Sequence, residues 1–137
     1  MKEKSQKFVT GIFNTEMDIK QEDSGVKLNF SLYNISDKDL ELCFRSSQKF
    51  DIFITDYNGK EVYRWSHSKG FLMSIIEIEL KKHEKLSFSE VWGYRDNNGN
   101  NVPPGKYSIT IKLLAKLKNG KNVNPAELTT VKDIEVK

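Results

Sequence analysis

The sequence is poor in the residues on which many small domains and metal sites depend. It has one cysteine, Cys43, three prolines and two histidines in 137 residues, and His67 and His83 lie sixteen positions apart. A single cysteine excludes an internal disulfide, and this set does not supply a zinc site. No run approaches the roughly 20 apolar residues of a membrane span, and the start, MKEKSQKFVTG, lacks the apolar core of a signal peptide. We therefore expect a cytoplasmic protein without a membrane partner, unless a leader has been removed.

An excess of charge of one sign is also missing. The 22 Lys and Arg residues are interleaved with 19 Asp and Glu residues, which leaves a net charge of +3. The densest basic run, KKHEK at 81–85, is interrupted by Glu84. A nucleic-acid binder needs a basic stripe to neutralise a row of phosphates, and none is visible. We expect no nucleic-acid partner.

What the sequence does contain is alternation of apolar and polar residues. In GVKLNFSLYN every second residue from Val26 to Leu32 is apolar, which is typical of a half-buried strand. The same pattern recurs at 40–44, 50–57 and 107–113, and weaker strand candidates lie at 8–19, 61–66, 75–80, 84–92 and 128–136. The segment SIIEIELKKHEKL at 74–86 could be helical, with Ile76 and Leu80 four apart, but alternation favours a strand. Eight or nine short strands predict an all-β, single-domain fold over residues 1–137, an antiparallel β-sandwich of immunoglobulin-like type.

Turn signals separate the predicted strands. In YNGK at 57–60, the Asn-Gly pair predicts a two-residue hairpin turn with positive φ. NPAE at 124–127 combines a capping residue, a first-turn proline and an acidic residue, and β-branched residues follow it. It predicts a single helical turn before the last strand.

The Ser-His-Ser run at 66–68 does not form a hydrolase site by itself. Consecutive strand residues point to opposite faces, so neither Ser66 nor Ser68 is placed to bond to His67. The G-x-S-x-G motif is absent, although a triad assembled from distant segments is left open. Cys43 has apolar neighbours on both sides, which favours an inert side chain.

Two polar loops resemble ligand-binding motifs but fail in detail. In DNNGNN at 96–101 the glycine is at the fourth position instead of the sixth, and Tyr107 stands where a calcium loop needs a bidentate Glu. GNNVPPGKY at 99–107 has five residues instead of four between its glycines, and two prolines remove backbone donors. We therefore predict no catalytic residues, no cofactor and no metal. A non-enzymatic binding domain that acts through its loops is the expectation.

Several segments together resemble one family. They are SSQKFDIFITDYNGKEVYRWS at 46–66, Phe71, FSEVW at 88–92 and VPPGKYSITIKL at 102–113. In order and spacing they are similar to the BsuPI-type intracellular proteinase inhibitors of bacteria, with the resemblance strongest over 26–114. The resemblance implies an immunoglobulin-like domain and a protein partner, an intracellular subtilisin-like serine protease. On physical grounds we expect a pre-ordered loop to occlude the active site of that protease. An interaction or adhesion module without inhibitory activity is the alternative, and an enzyme is the third.

The matched residues also carry physical predictions. Trp92 and Phe50 are expected in the core, and Tyr107 suits a tyrosine corner. Gln48 and Asp51 are expected to bond to neighbouring backbone and fix the hairpin.

Two loops, 66–71 and 94–104, are candidates for partner contact, with ordinary connections between sheets as the alternative. The side chains proposed for contact are Arg64, Trp65, His67, Lys69 and Tyr94. Lys69 or Tyr94 could enter a specificity pocket. Arg64 and Trp65 could instead stack or form an ion pair within the sheet, because both types are common in interfaces and in packing alike.

Overall fold

The structure, a computed structural model, describes residues 8–137, and the regular secondary structure in this range is almost entirely β-strand. Within this range ten strands follow one another, with one 3₁₀ turn, Pro125–Leu128, before the last of them. The strands are β1 Phe13–Gln21, β2 Val26–Asn34, β3 Leu40–Phe44, β4 Phe50–Asp56, β5 Glu61–Arg64, β6 Ile76–Leu80, β7 Lys85–Trp92, β8 Gly105–Leu113, β9 Lys116–Leu117 and β10 Thr129–Val136.

The strands form two principal sheets and one small one, all antiparallel. One principal sheet has the order β1-β2-β7 and the other has the order β10-β8-β4-β5. The ring of Phe50 on β4 lies 4.8 Å from that of Phe30 on β2 and 5.0 Å from that of Phe88 on β7, so the two sheets pack face to face. The small sheet, β6-β3-β9, completes the fold. The predicted immunoglobulin-like sandwich is confirmed.

The core lies between the two principal sheets and follows the alternation of the sequence. The four apolar residues of β2, from Val26 to Leu32, are almost fully buried, while the residues between them are exposed or half-buried. Trp92 and Phe50 are 2% and 6% exposed, which confirms the prediction that both belong to the core. Alternation places one face of each strand inward because successive side chains point to opposite sides.

Several predicted strand boundaries differ from the structure. The first strand begins at Phe13 and not at residue 8, although Val9 forms an isolated parallel bridge with Val123. The strand predicted at 61–66 ends at Arg64, because the chain turns there: the His67 N–H bonds to the Arg64 carbonyl at 2.9 Å. The sequence pattern also missed β9, which has two residues and is too short to show a period.

The β4–β5 hairpin exists, but its turn is not the two-residue turn predicted for Asn58 and Gly59. Of these two residues Gly59 alone has positive φ, at 81°. The Asp56 carboxylate accepts hydrogen bonds from the N–H groups of Asn58 and Lys60, each at 2.9 Å. This side chain stabilises a longer turn over 57–59, and the strand register shifts beside it at Thr55. The prediction considered backbone preference and overlooked the competing Asp side chain.

The predicted helical turn before the last strand is confirmed as the 3₁₀ turn, with Asn124 as its cap. The acidic residue of this turn, Glu127, forms hydrogen bonds with a distant part of the chain. Its carboxylate accepts hydrogen bonds from the N–H groups of Gly11, Ile12 and Phe13 at 2.6, 3.1 and 2.9 Å. The Thr15 hydroxyl adds a bond to the Glu127 carbonyl at 2.7 Å. The turn therefore fixes the start of β1 onto the C-terminal part of the chain.

Tyr107 forms the predicted tyrosine corner, and its hydroxyl should contribute measurably to stability. The phenol donates to the Pro103 carbonyl at 2.5 Å, four residues upstream and just before β8 begins. Burial, and then the nearby Asp56 carboxylate, raise the pKa of Tyr107, so the phenol stays protonated as a donor. We expect Tyr107→Phe to lower the free energy of unfolding by about 1–2 kcal/mol in urea denaturation. An unchanged midpoint would contradict this role.

Candidate functional site

The connection between β5 and β6 presents apolar side chains to solvent. We call residues 65–75 the β5–β6 loop. Leu72, Met73 and Ile75 are 72%, 83% and 67% exposed, whereas most large apolar residues of the molecule are buried or half-buried. Exposed apolar residues in a cluster mark surfaces that bind a partner, while single ones do not. The loop is therefore the first candidate for a functional site.

Aromatic rings support the first half of the loop. The Trp65 ring lies 4.4 Å from that of the buried Phe50 and 5.8 Å from that of Phe71. The ammonium group of Lys69 lies 4.8 Å above the Trp65 ring, a cation–π contact. Trp65 therefore connects the loop to the core of the sandwich, and its half-buried ring forms a base on which the loop rests.

A buried carboxylate holds the beginning of the loop. Asp51 on β4 is 7% exposed, and its side chain accepts hydrogen bonds from the Ser66 N–H at 3.1 Å and the Ser66 hydroxyl at 2.6 Å. It also accepts from the Ile52 N–H at 2.9 Å, and Gln48 donates to the Phe50 carbonyl at 3.0 Å. The prediction that Gln48 and Asp51 bond to neighbouring backbone is confirmed. Asp51 fixes, in addition, the point where the chain leaves β5.

A serine in the β3–β4 connection holds the middle of the loop. The Leu72 N–H donates to the Ser47 hydroxyl, and the Ser47 N–H donates to the Leu72 carbonyl, both at 2.9 Å. Both backbone polar groups of Leu72 are thus bonded within the protein. At the end of the loop, Ile76 begins β6, which pairs with β3. The exposed segment is therefore attached at its start, in its middle and at its end.

Four of the five residues proposed for partner contact lie in or beside the loop. Arg64 precedes it and binds Glu61 with two hydrogen bonds, which raise the pKa of the guanidinium. Arg64 also lies 5.0 Å above the Phe53 ring. His67 and Lys69 are both exposed. Arg64 thus forms an ion pair within the protein and Trp65 stacks on a neighbouring ring, which is the alternative to partner contact considered above.

Tyr94 contacts a different part of the molecule. Its hydroxyl donates to the Glu22 carbonyl at 2.6 Å, and its ring meets the edge of Trp92 at 5.5 Å. Its φ is 61°, a left-handed conformation that costs energy for a residue with a Cβ. The loop that follows Tyr94 nevertheless reaches β5, because Asn97 accepts a hydrogen bond from the Arg64 N–H at 2.9 Å. The fold thus places the 94–104 loop beside β5, the strand that leads into the 66–71 loop.

The one hydroxyl of the Ser-His-Ser run that is partly buried has a structural partner. The Ser66 hydroxyl, considered above as a nucleophile, donates to Asp51. In residues 8–137 no three or more His, Cys, Asp or Glu side chains cluster as metal ligands. Nor does that part of the chain contain a helix with the length and apolar character needed to cross a membrane.

A groove of about 690 Å³ lies beside the β3–β4 connection and the end of β8. Among the described residues, its ionisable side chains are all cationic: Arg45, Lys112, Lys116 and Lys121. Those residues bring no carboxylate, imidazole or thiol to it as general base or nucleophile.

The sequence analysis missed the exposed residues Leu72, Met73 and Ile75. The run FLMSII at 71–76 carried a signal that was not used. Five of its six residues are apolar without alternation, and Gly70 precedes them. The part from 75 onward was assigned to a strand, and the earlier part was not considered as a contact surface.

Comparison with known protein families identifies the family to which this chain belongs. The family profile described as "BsuPI: Intracellular proteinase inhibitor" matches residues 13–118, well over half of the chain. This chain belongs to the BsuPI family. The match includes the whole β5–β6 loop and both candidate contact loops. The resemblance noted in the sequence is thus confirmed and extends further toward the N-terminus than 26–114. No curated protein matches the sequence significantly.

Solved structures with a similar fold include a CARDB domain from Pyrococcus furiosus, determined in complex with di-metal ions. It aligns over 98% of this chain and 95% of its own, with a TM-score of 0.52 and 12% identity. The alkylpurine DNA glycosylase AlkC of Pseudomonas fluorescens aligns over 92% of this chain and 30% of its own, with 12% identity and a TM-score of 0.47. A Kluyveromyces marxianus β-glucosidase aligns over 91% and 14%, with 14% identity and a TM-score of 0.45. At such identities the CARDB domain supports the fold alone.

Proposed function

We propose that this BsuPI protein inhibits an intracellular subtilisin-like serine protease by occluding its active site with the β5–β6 loop. The observation that carries the proposal is an exposed apolar loop, fixed at several points, in a member of a family of intracellular proteinase inhibitors. The proposal also includes a cytoplasmic location, where such a protease would be met, and no catalytic activity of the protein's own.

Attachment of the loop supports inhibition on energetic grounds. A flexible segment loses conformational entropy when it docks, and this loss opposes binding. Here Asp51, Ser47 and the Trp65 ring fix the loop before any partner arrives. More of the energy from burying Leu72 and Met73 is then available for affinity.

The side chains around the loop define a proposed contact surface. It contains the exposed His67 and Lys69, the part of Arg64 that contacts neither Glu61 nor Phe53, and the open part of the Trp65 ring. Tyr94 is proposed as a secondary contact, because its loop adjoins β5 through Asn97. Arg and Trp often contribute strongly to interface energy when they become buried.

A titration tests the proposal. Purified protein is added to an intracellular subtilisin-type serine protease, with a small chromogenic peptide as substrate. We expect peptidase activity to fall in proportion to added protein and to reach its minimum near one equivalent. A papain-type cysteine protease and a zinc metalloprotease serve as specificity controls and should keep their activity. Unchanged activity of the subtilisin-type protease at a large excess would refute inhibition and favour an interaction module.

A further inference from the structure

We propose that Met73 is the residue that enters the primary specificity pocket of the protease, with Leu72 and Ile75 against the neighbouring walls of the cleft. The target protease would accordingly have a large apolar pocket. This inference rests on the proposed function and makes it specific to one side chain.

Clustering distinguishes these residues from the other exposed apolar residues. Among residues 8–137, nine large apolar side chains are exposed, and three of them lie within the four positions from Leu72 to Ile75. The other six are spread over different strands and turns: Phe8, Ile35, Tyr57, Val91, Leu114 and Val131. Exposure of apolar area to water is unfavourable, and burying it against a partner recovers that free energy.

Backbone bonding selects Met73 from the three. A segment bound like a substrate presents the carbonyl of the residue in the specificity pocket to the oxyanion hole of the protease. The Leu72 carbonyl already accepts a hydrogen bond from Ser47, and its N–H donates to the same residue. Ile75 immediately precedes β6, which is paired with β3. Met73 lies between these two attachments, and its side chain is the most exposed of the three at 83%.

The chemistry of Met73 defines the pocket that it fits. Its side chain is unbranched, apolar and flexible at the tip, so it can fill a deep pocket of irregular shape. It has no charge to pair with an acidic pocket of the trypsin type. A subtilisin-type protease that cleaves after large apolar residues therefore matches this loop.

Substitution of Met73 tests the assignment. The inhibition constant is measured against the same subtilisin-type protease, with a peptide substrate that carries a large apolar residue before the scissile bond. We expect Met73→Ala to weaken inhibition by about 10- to 100-fold, because most of a buried apolar side chain is lost. Met73→Glu should weaken it by more than about 100-fold, because a carboxylate would be buried without a partner. Met73→Leu, which keeps volume and polarity, should change it by less than about 5-fold.

Tyr57→Glu is the matched control. Tyr57 is 82% exposed, close to the 83% of Met73. It lies in the turn before β5, whereas Met73 lies in the loop after β5. This variant should inhibit within about 2-fold of the wild type, since a charge at an exposed position away from the contact changes little. Urea denaturation of Met73→Glu and Tyr57→Glu checks folding. Their midpoints should stay close to that of the wild type because neither Met73 nor Tyr57 is buried.

The outcomes separate this inference from the proposed function. If the wild type inhibits and Met73→Glu inhibits equally well, the assignment of Met73 is wrong while the inhibitory function stands. A larger loss with Leu72→Glu than with Met73→Glu would also overturn the assignment. If the wild type inhibits no subtilisin-type protease, the proposed function fails and this inference fails with it.

Discussion

Phe50→Ala is expected to lower the free energy of unfolding by about 3–5 kcal/mol. Phe50 is 6% exposed, and its ring lies within 4.4–5.0 Å of the rings of Phe30, Phe88 and Trp65. Removing it opens a cavity between the two principal sheets and also removes the base beneath Trp65. Urea denaturation followed by tryptophan fluorescence measures the loss, since Trp65 packs against Phe50 and Trp92 is buried in the core.

Phe53→Ala is the control for this prediction. Phe53 lies on the same strand but faces outward, where it is half-buried beneath the cationic groups of Arg64 and Lys112 at 5.0 and 5.2 Å. The Phe53→Ala variant loses a half-buried ring and two cation–π contacts at the surface. We therefore expect its free energy of unfolding to fall by about 1–2 kcal/mol. Equal losses for the two variants would show that Phe50 does not join the sheets as described.

Asp51→Ala is expected to destabilise the protein by about 2–4 kcal/mol, and to loosen the β5–β6 loop more than the rest of the fold. The substitution leaves the N–H groups of Ile52 and Ser66 without their acceptor in a buried setting, and such groups are costly. Amide hydrogen exchange should accelerate at Ser66 and Leu72 before it does so in β2. Under the proposed function, inhibition should weaken in the fraction that remains folded.

Two further variants define the Asp51 interaction. Asp51→Asn keeps one carbonyl oxygen as an acceptor for both N–H groups, so it should restore about half of the lost stability. A double-mutant cycle with Ser66→Ala isolates the bond between the Ser66 hydroxyl and the carboxylate, for which we expect a coupling of about 1–2 kcal/mol. A coupling near zero would mean that Asp51 acts through the backbone groups alone.

The β-sandwich fold explains why several reactive residue types in the loop sequence have structural roles. Arg64, Trp65 and Ser66 are residue types that occur in active sites and interfaces, yet here each engages a neighbour in the sandwich: Glu61, Phe50 and Asp51, respectively. These contacts order the loop. Its exposed side chains are both polar and apolar, and the apolar ones, Leu72, Met73 and Ile75, lie close together in sequence. Under the proposed function, recognition would depend on shape and burial at Leu72 and Met73, and the polar groups would supply the rigidity.

The sequence by itself determined the longer strands, the inward face of each of them and the tyrosine corner. These features follow from local periodicity and turn chemistry, so Leu28, Ile52 and Tyr107 could be assigned to the core from their neighbours alone. The β4–β5 turn was assigned incorrectly because a competing side chain, Asp56, changed the local preference.

Only the tertiary structure decided which apolar residues remain uncovered and what holds them. Ser47 and Leu72 are 25 positions apart and Asp51 and Ser66 are 15 apart, so their bonds depend on how β4 and β5 pack. The apolar run at 71–76 looks the same in sequence whether another strand covers it or not. Exposure is a property of the space around a side chain, and that space is occupied by residues from distant parts of the chain.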